Sequence, residues 1–201
     1  MSEGVKTVME GAAAALDYDA ELMLRVKDGD GASFGVLLDK HRTSVVHFLY
    51  RMVQNYAVAE ELGQEVFLRV YRSRSTYEPT AKFTTWLFRI ATHLALNALR
   101  DGKYERLKDR LDDEFAGAPV RQISDRRPNV EQSMVYQARL QEVRRAIGAL
   151  PEKQRAAVLM HKYEEMEYSQ IARVLSCSES AVKSLLFRAY ESLRAHLAHM
   201  A

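Results

Sequence analysis

The chain has 201 residues, of which 47% are hydrophobic and 28% charged, and its formal net charge at pH 7 is +2. This length and apolar content predict two small helical cores, each near the lower end of independent domain size. The net charge is too small to indicate nucleic-acid binding by itself, and a lone cysteine, Cys177, excludes an intrachain disulfide.

Residues 1–18 are predicted to be a flexible N-terminal tail. Ala12 to Ala15, followed by Leu16, lack the apolar core of a secretory signal. No stretch of the sequence approaches the length of a membrane span. We therefore expect a cytoplasmic protein without membrane insertion.

The segment AEELGQEVF predicts a helix with one polar and one apolar side. Glu61, Gln64 and Glu65 share the polar side. The residues available for a core are Leu62, Val66 and Phe67. Carboxylates and an amide on one helix face suit a basic, Arg-rich partner through charge-assisted hydrogen bonds. As an isolated pattern, a solvated acidic face is the commoner explanation.

From Pro79 to Arg100 the chain contains no Asp or Glu, although acids nearly balance bases overall. The run KFTTWLFRIATHLALNALR predicts an amphipathic helix. Its apolar side carries Trp86, Leu87, Ile90, Leu94 and Leu96. Its open side is predicted to carry Thr85, Arg89, His93, Asn97 and Arg100. Such groups can neutralise phosphates or hydrogen-bond to unpaired bases. An ordinary core helix with a solvated basic side is the alternative.

The following segment, DGKYERLKDRLDDEFAGAPVRQISDRRPN, is rich in charge and poor in periodic apolar positions. It also carries Gly117, Pro119 and Pro128. This composition predicts a flexible linker over residues 104–128. The first domain is then expected over 19–103 and the second over 129–201.

The second domain contains YSQIARVLSCSESAVKSLLFRAYESL, a pattern typical of a helix-turn-helix. Ala172 and Val182 are ten residues apart, which suits a close crossing of two helices at a small residue. Ser178 is expected to cap the second helix. The predicted inward residues are Val182, Leu185, Leu186, Ala189 and Leu193. The predicted outer residues are Ser180, Lys183, Ser184, Phe187 and Arg188. An amphipathic hairpin that binds protein is the alternative.

Four ordered blocks of the sequence carry a resemblance to a known family. They are FGVLLDKHRTSVVHFLYRMV, AEELGQEVFLRVYRS, FTTWLFRIATHLALNALR and LPEKQRAAVLMHKYEEMEYSQIARVLSCSESAVKSLLFRAYESLR. From about Asp19 to Leu197, excepting the linker, the chain resembles a bacterial extracytoplasmic-function (ECF) sigma factor of the sigma-70 family. The resemblance implies an all-α fold in which a sigma region 2 helical bundle and a sigma region 4 helix-turn-helix are joined by a flexible linker.

The resemblance also implies partners and site residues. Glu61, Gln64 and Glu65 match the helix that docks on the beta-prime clamp helices of core RNA polymerase. The positions that match melting and recognition of the minus-ten element are Lys82, Thr84, Thr85, Trp86, Arg89, His93, Asn97 and Arg100. We expect Trp86 to be mostly core. Thr84 stands where many relatives carry Arg, so the phosphate contact there is expected to be weaker.

For the helix-turn-helix, the resemblance implies recognition of the minus-thirty-five element as duplex DNA. The matching positions include Lys183, Ser184, Phe187 and Arg188. The departures from the usual pattern are Ser176, Ser180, Ala181, Leu185 and Tyr190. They make the recognition helix less positive, which changes either affinity or sequence preference. Further implied partners are promoter DNA, the beta flap of the polymerase and an anti-sigma factor that covers the polymerase-binding faces.

Other functions are less consistent with the sequence. His196 and His199, with His161 or Glu164, could approach one metal ion, but no fixed third ligand is evident. The chain has no glycine-rich phosphate loop and no nucleophile elbow, so we expect no enzyme activity, metal or cofactor. Cys177 is expected to pack as a small hydrophobe. A free-standing helix-turn-helix regulator and a sigma-like decoy for an anti-sigma factor remain as alternatives.

Overall fold

The computed structural model describes residues 17–101 and 130–200, and it describes side chains over 17–101 and 136–199. These ranges form helices and turns, without a strand among them, as predicted. The α-helices are α1 (Tyr18–Lys27), α2 (Gly31–Val53), α3 (Tyr56–Arg72), α4 (Phe83–Arg100), α5 (Val130–Ala149), α6 (Glu152–Tyr163), α7 (Tyr168–Leu175) and α8 (Glu179–Leu197). The predicted linker, 104–128, and nearly all of the predicted tail, 1–18, lie outside the described residues.

Helices α1 to α4 form the first helical unit, and short polar side chains fix where its helices begin. The Asp30 carboxylate accepts hydrogen bonds from the backbone N–H groups of Ala32 and Ser33 at 2.9 and 3.2 Å. Asn55 Oδ1 accepts from the Val58 N–H at 3.1 Å. Each contact satisfies an N–H group that has no partner within its own helix.

The core of this unit lies between α2, α3 and α4. Helices α2 and α3 approach closely at Gly63, where an added Cβ would lie 2.9 Å from Val46 Cγ2. Phe48 and Phe88 meet edge to face with ring centroids 5.2 Å apart, which joins α2 to α4. Both rings are almost completely buried. The core therefore fixes the orientation of α4 and of its solvent-facing side.

Helices α5 to α8 form the second unit, in which α6 and α8 pack against each other and α7 crosses α8. Helix α6 contributes an unbroken run of buried residues to its core, Ala156, Ala157, Val158, Leu159 and Met160. The two units also touch, because α7 packs on α4, and α5 and α6 pack on α2. Their buried side chains belong to one continuous hydrophobic cluster.

Candidate nucleic-acid interface

Helix α4 presents a row of exposed polar side chains along one side. Arg89, His93, Asn97 and Arg100 are all exposed, as the sequence predicted. Arg100 donates to Asn97 Oδ1 at 3.2 Å, which leaves the Asn97 amide N–H₂ group free to donate. The row thus combines two guanidinium groups, an imidazole and an amide donor, and Asp101 pairs with Arg100 at its C-terminal end, with 3.5 Å between Oδ1 and Nε.

Thr85 does not belong to this face. Its side chain is buried, with 4% of the residue exposed, so the prediction that it lies on the open side is wrong. Burial on α4 spreads over more than one side, because helices of both units pack against it. Thr92, two turns further along, is completely buried. Neither hydroxyl has a hydrogen-bond partner within the described part of the chain.

At its first turn α4 carries an aromatic cluster. Trp86 is half-buried, and its ring centroid lies 4.9 Å from that of Tyr77 and 5.9 Å from that of Phe83. Tyr77 is buried, and this burial raises the pKa of its hydroxyl to about 12. Lys82 is exposed just before the helix, and Thr84 is half-exposed in its first turn. Trp86 therefore packs mainly as part of the core, as expected.

The sequence did not reveal the role of Asp17. Its Oδ1 atom accepts from the Ala20 N–H at 2.7 Å, and its Oδ2 atom accepts from the Phe83 N–H at 3.0 Å. One carboxylate therefore caps α1 and α4 together, and a negative charge lies at the N-terminal end of α4, where it interacts favourably with the helix dipole. Local spacing gave no signal because Asp17 and Phe83 are 66 residues apart.

Helices α7 and α8 form the predicted helix-turn-helix. Ala172 and Val182 are both buried where the helices cross. Ser176 adopts the left-handed conformation at φ +52°, and the Cys177 N–H donates to Ala172 O at 3.0 Å, which closes α7. Ser178 caps α8 as predicted, because its Oγ accepts from the Ala181 N–H at 3.2 Å.

The outer face of α8 contains the predicted residues. Ser180, Lys183, Ser184, Phe187 and Arg188 are all exposed. Ser184 Oγ donates to Ser180 O at 3.0 Å, and Arg188 Nε donates to Ser184 O at 3.2 Å. Phe187 is 67% exposed, which is unusual for an aromatic side chain without a partner.

The inward side of α8 agrees with the prediction in part. Val182, Leu186 and Ala189 are buried, whereas Leu185 and Leu193 are only partly buried. Cys177 is also partly buried and packs against the core. The rigid inner contacts hold the outer face in position.

A third surface lies on α3. Glu61 and Gln64 are exposed, and Glu65 is partly exposed and pairs with Arg69 at 2.7 Å between Oε1 and Nε. Val66 and Phe67 are buried behind them, as predicted, and Leu62 is half-buried. Leu68, in the next turn, is 42% exposed. The face offers hydrogen-bond acceptors beside an exposed leucine.

No metal centre is present in the described ranges, where no three His, Cys, Asp or Glu side chains come together as ligands. The helices described in the structure also include none that is long and apolar enough to cross a membrane.

Comparison with known proteins matches each helical unit to a family model. The family model for "Sigma-70 region 2" matches residues 37–104, and that for "Sigma-70, region 4" matches residues 140–193. The ECF RNA polymerase sigma factor SigW of Bacillus subtilis is 30% identical over 177 residues, which cover 86% of this chain and 93% of SigW. The ECF RNA polymerase sigma-E factor of Escherichia coli is 30% identical over 180 residues, covering 87% of this chain and 92% of the relative.

Solved structures show the same fold. The structure of CnrH in complex with the cytosolic domain of CnrY aligns with a TM-score of 0.67 at 19% identity and covers 91% of this chain and 99% of that one. The sigma factor RpoE in complex with the anti-sigma factor NepR, from Bartonella quintana, aligns with a TM-score of 0.63 at 20% identity, over 82% and 96% of the two chains. The chain belongs to the sigma-70 family, in its ECF group of RNA polymerase sigma factors.

Proposed function

We propose that this protein binds core RNA polymerase and directs initiation at promoters by contacting two DNA elements with two different surfaces. The observation that carries the proposal is the presence, on one chain, of an acid-free polar row on α4 and an exposed helix-turn-helix face on α8. The first suits unpaired bases and phosphates, and the second suits duplex DNA. It directs the chemistry of the polymerase and performs none itself.

The α4 row is assigned to the minus-ten element. Asn97 offers an amide donor to a base edge, and Arg89 and Arg100 offer phosphate contacts. A base taken out of the stack costs a few kcal/mol, which a pocket of stacking and hydrogen-bonding groups can return. Lys82, Thr84 and His93 complete the surface, whereas Thr85 and Trp86 act from the packed side of the helix.

The α8 face is assigned to the minus-thirty-five element. Lys183 and Arg188 supply positive charge for phosphates or guanine, and Ser180 and Ser184 supply hydroxyl groups. Phe187 fits a thymine methyl group, because exposed aromatic side chains make apolar contact with that methyl in the major groove. This apolar contact compensates for part of the DNA affinity that the recognition helix loses with its lower positive charge. The compensation depends on the DNA sequence, because the contact requires a thymine.

The α3 face, with Glu61, Gln64 and Glu65, is assigned to the beta-prime clamp helices. Its acceptors suit arginine-rich partners, and Leu68 adds apolar contact area. The second unit is assigned to the beta flap. We place the functional domains at 19–103 and 129–201, between a tail at 1–18 and a connector at 104–128.

An anti-sigma factor is the proposed regulator. Support comes from the two fold relatives, CnrH and RpoE, because the RpoE structure contains an anti-sigma factor and the CnrH structure contains the cytosolic domain of CnrY. A protein that binds RNA polymerase on chromosomal DNA acts in the cytoplasm, which is the location that we propose.

The test is transcription with purified components. The protein is added to sigma-free core polymerase with fragmented genomic DNA from its source, and the transcripts are sequenced. Discrete start sites that share two spaced upstream motifs are expected. Polymerase binding without specific initiation would instead identify a decoy, and neither activity would identify a free-standing DNA-binding regulator.

Residue assignments are tested on a promoter found in this way. Asn97→Ala is expected to lower specific initiation at least about fivefold, because losing a base contact costs about 1–3 kcal/mol. Its affinity for core polymerase is expected to stay within about twofold, since Asn97 lies on a different helix from the α3 face. Gln137→Ala removes an exposed amide on α5 and serves as the control, with no expected change.

A further inference from the structure

The first helix, α1, is fixed to α2 by a buried carboxylate. Asp19 Oδ1 lies 2.6 Å from Lys40 Nζ, and Asp19 Oδ2 lies 2.9 Å from His41 Nε2. Asp19 and His41 are both buried, and Met23 of α1 is completely buried in the core. Because these contacts hold α1 in one place on α2, each end of α1 is a fixed point that can position other groups.

The start of α4 depends on α1, because α4 has no capping side chain of its own. Lys82, the residue before α4, makes no side-chain capping hydrogen bond. The Phe83 N–H donates instead to Asp17 Oδ2 at 3.0 Å, while Asp17 Oδ1 accepts from the Ala20 N–H and caps α1. A charge-assisted hydrogen bond from 66 residues away therefore holds the first turn of α4.

The opposite end of α1 holds the segment that leads into α4. Lys27 Nζ donates to Tyr77 O at 3.0 Å. The Tyr77 side chain is buried, and its ring centroid lies 4.9 Å from that of Trp86. The chain from 77 to 83 is thus tied to α1 at both of its ends.

These contacts act on one part of the DNA surface that α4 is proposed to carry. Lys82 and Thr84 lie at the end of α4 that Asp17 holds. The rest of the helix is held by the core, through the contact of Phe88 with Phe48. Groups that separate paired strands have to be in place before a base leaves the stack, because they offset the cost of unstacking only if they are already positioned.

We propose that Asp17 and Lys27 are positioning residues for strand separation, which hold the first turn of α4 and the segment 77–83 where the duplex opens. The proposal rests on the proposed function. The row from Arg89 to Arg100 is expected to bind DNA that is already open without their help, because the core holds that part of α4. Loss of either α1 contact therefore lowers promoter opening more than binding to open DNA.

Asp17→Ser tests one contact without removing the cap of α1. Serine is a good N-cap residue, but it has one side-chain oxygen where aspartate has two, so it cannot serve both N–H groups. Asp30→Ser is the matched control, because the Asp30 carboxylate accepts hydrogen bonds from Ala32 and Ser33 in the first turn of its own helix. Both variants lose one negative charge and keep a capping hydroxyl.

The two variants are compared with core polymerase on a promoter found by the transcription test. Permanganate reactivity of the minus-ten thymines measures opening. Asp17→Ser is expected to lower opening of the duplex promoter at least about fivefold, since it loses a hydrogen bond to a charged acceptor. On the same promoter with mismatches that keep the minus-ten element open, its initiation is expected to recover to within about twofold of wild type. Asp30→Ser is expected to match wild type on both templates.

Lys27→Met tests the other end of α1, with Arg25→Met as its control. Both changes remove one positive charge from an exposed position of α1. Lys27 donates to Tyr77 O, whereas the Arg25 side chain donates no hydrogen bond within the described part of the chain. Lys27→Met is expected to lower opening of the duplex promoter, and Arg25→Met is expected to leave it unchanged. Equal losses would overturn the role of Lys27, because opening would then follow the charge of α1.

Trp86 reports the position of the first turn of α4 without DNA or polymerase. It is the single tryptophan of the chain, and it is half-buried against Tyr77. Asp17→Ser is expected to shift its emission to longer wavelength and to increase its quenching by acrylamide, because a displaced turn exposes the indole to water. Asp30→Ser is expected to do neither. Unchanged Trp86 emission in Asp17→Ser would overturn the positioning role.

Two results on DNA also overturn the proposal. One is equal opening of the duplex promoter by Asp17→Ser and Asp30→Ser. The other is an equal loss by Asp17→Ser on the duplex and the mismatched templates, since Asp17 would then support the whole unit and not strand separation. Circular dichroism checks that the variants remain helical, and if Asp17→Ser does not, the comparison of Lys27→Met with Arg25→Met decides.

Failure of the proposed function gives a different result. If wild type initiates no specific transcription, the proposed function fails and the role in strand separation fails with it, while Trp86 emission still decides whether Asp17 holds the first turn of α4. If wild type initiates specifically and Asp17→Ser opens the duplex promoter equally well, the proposed function stands and only the positioning role is wrong.

Discussion

At the scale of single residues, Lys183 is the clearest test of the duplex contact. Its ammonium group is exposed on α8 and has no hydrogen-bond or ion-pair partner among the described residues, so it is free to meet a phosphate. Lys183→Ala is expected to weaken binding to a promoter duplex and to reduce the slope of log K against log salt by about 0.9, the value for one phosphate contact. Fluorescence anisotropy over a salt series measures both.

Arg194→Ala provides the matched control on the same helix. Arg194 is exposed and pairs with Glu191 one turn away, near the C-terminal end of α8. Its removal is expected to change the salt slope little, because the matching recognition positions lie in the first half of the helix. An equal change in slope for the two variants would show that the affinity reflects net charge and not a contact at Lys183.

Glu164 is expected to make stability depend on pH. Burial raises the pKa of its carboxyl from 4.5 to about 7, while the nearby Arg51 lowers it. The folded state therefore binds a proton that the unfolded state releases between these values, so the free energy of unfolding falls as pH rises through this window. The group is only half-buried, so solvent screening reduces the effect to the order of 1 kcal/mol.

Urea unfolding at pH 5 and pH 8 measures this effect. Glu164→Gln is expected to stabilise the protein at pH 8 relative to wild type. It is also expected to reduce the difference in the free energy of unfolding between the two pH values. Glu165→Gln changes an exposed neighbouring carboxyl and is expected to leave the difference as it is. If both variants keep the wild-type pH dependence, the Glu164 carboxyl is not the group responsible.

Sequence periodicity predicted the exposure of a residue well where its helix has one buried side. It predicted exposure poorly where neighbouring helices pack on more than one side of the helix. The exposed row from Arg89 to Arg100 follows from the period of a helix with one buried side. Thr85 was misplaced because α4 is packed on more than one side, which a single-period pattern does not contain. Asp17 was missed because it caps α4 from 66 residues away.

At the scale of elements, the close approach of α2 and α3 depends on Gly63. A Cβ there would lie 2.9 Å from Val46 Cγ2, and a valine in a helix has little freedom to turn away. Gly63→Ala is therefore expected to lower the free energy of unfolding by about 1–3 kcal/mol through overpacking. Because Gly63 lies among Glu61, Gln64 and Glu65, polymerase affinity is expected to fall with it.

Gly35→Ala is the matched control, since a Cβ at Gly35 of α2 meets nothing within 4 Å. This change is expected to stabilise the protein by about 0.5–1 kcal/mol, because alanine loses less backbone entropy than glycine in a helix. Chemical denaturation of both variants should give shifts of opposite sign. Shifts of the same sign would mean that α3 moves away to accommodate the methyl group.

Elements with local signals were predictable from the sequence, as the helix-turn-helix illustrates. Ser178 marks the start of α8, and the spacing of Ala172 and Val182 marks where α7 and α8 cross. Both signals could be recognised in the sequence because they lie within a short segment. Ser176 is one of the departures from the family pattern, and it adopts the left-handed conformation, which glycine adopts most readily.

At the scale of the whole molecule, the contact between the units was not predictable. Arg155 and Met52 are 103 residues apart, and Arg144 and Gln54 are 90 apart. Arg155 lies in the sequence block that begins LPEKQR and Arg144 lies outside the quoted blocks, but the oxygens that both bind are mainly backbone or amide oxygens, which every sequence supplies. Composition predicted two small cores, whereas the described residues bury one continuous cluster through both units. The contact therefore makes the stability of each unit depend on the other.

This dependence predicts how the protein unfolds. Because one hydrophobic cluster runs through both units, wild type is expected to melt in a single calorimetric transition. The ratio of calorimetric to van't Hoff enthalpy is then expected to be about 1. Gln54→Ala with Arg144→Ala removes the exposed part of the contact and is expected to split the transition or raise the ratio toward about 2. Gln137→Ala with Arg145→Ala, the same side-chain types at exposed positions of α5 outside the contact, is expected to preserve one transition. Two transitions in wild type would mean that the units fold independently.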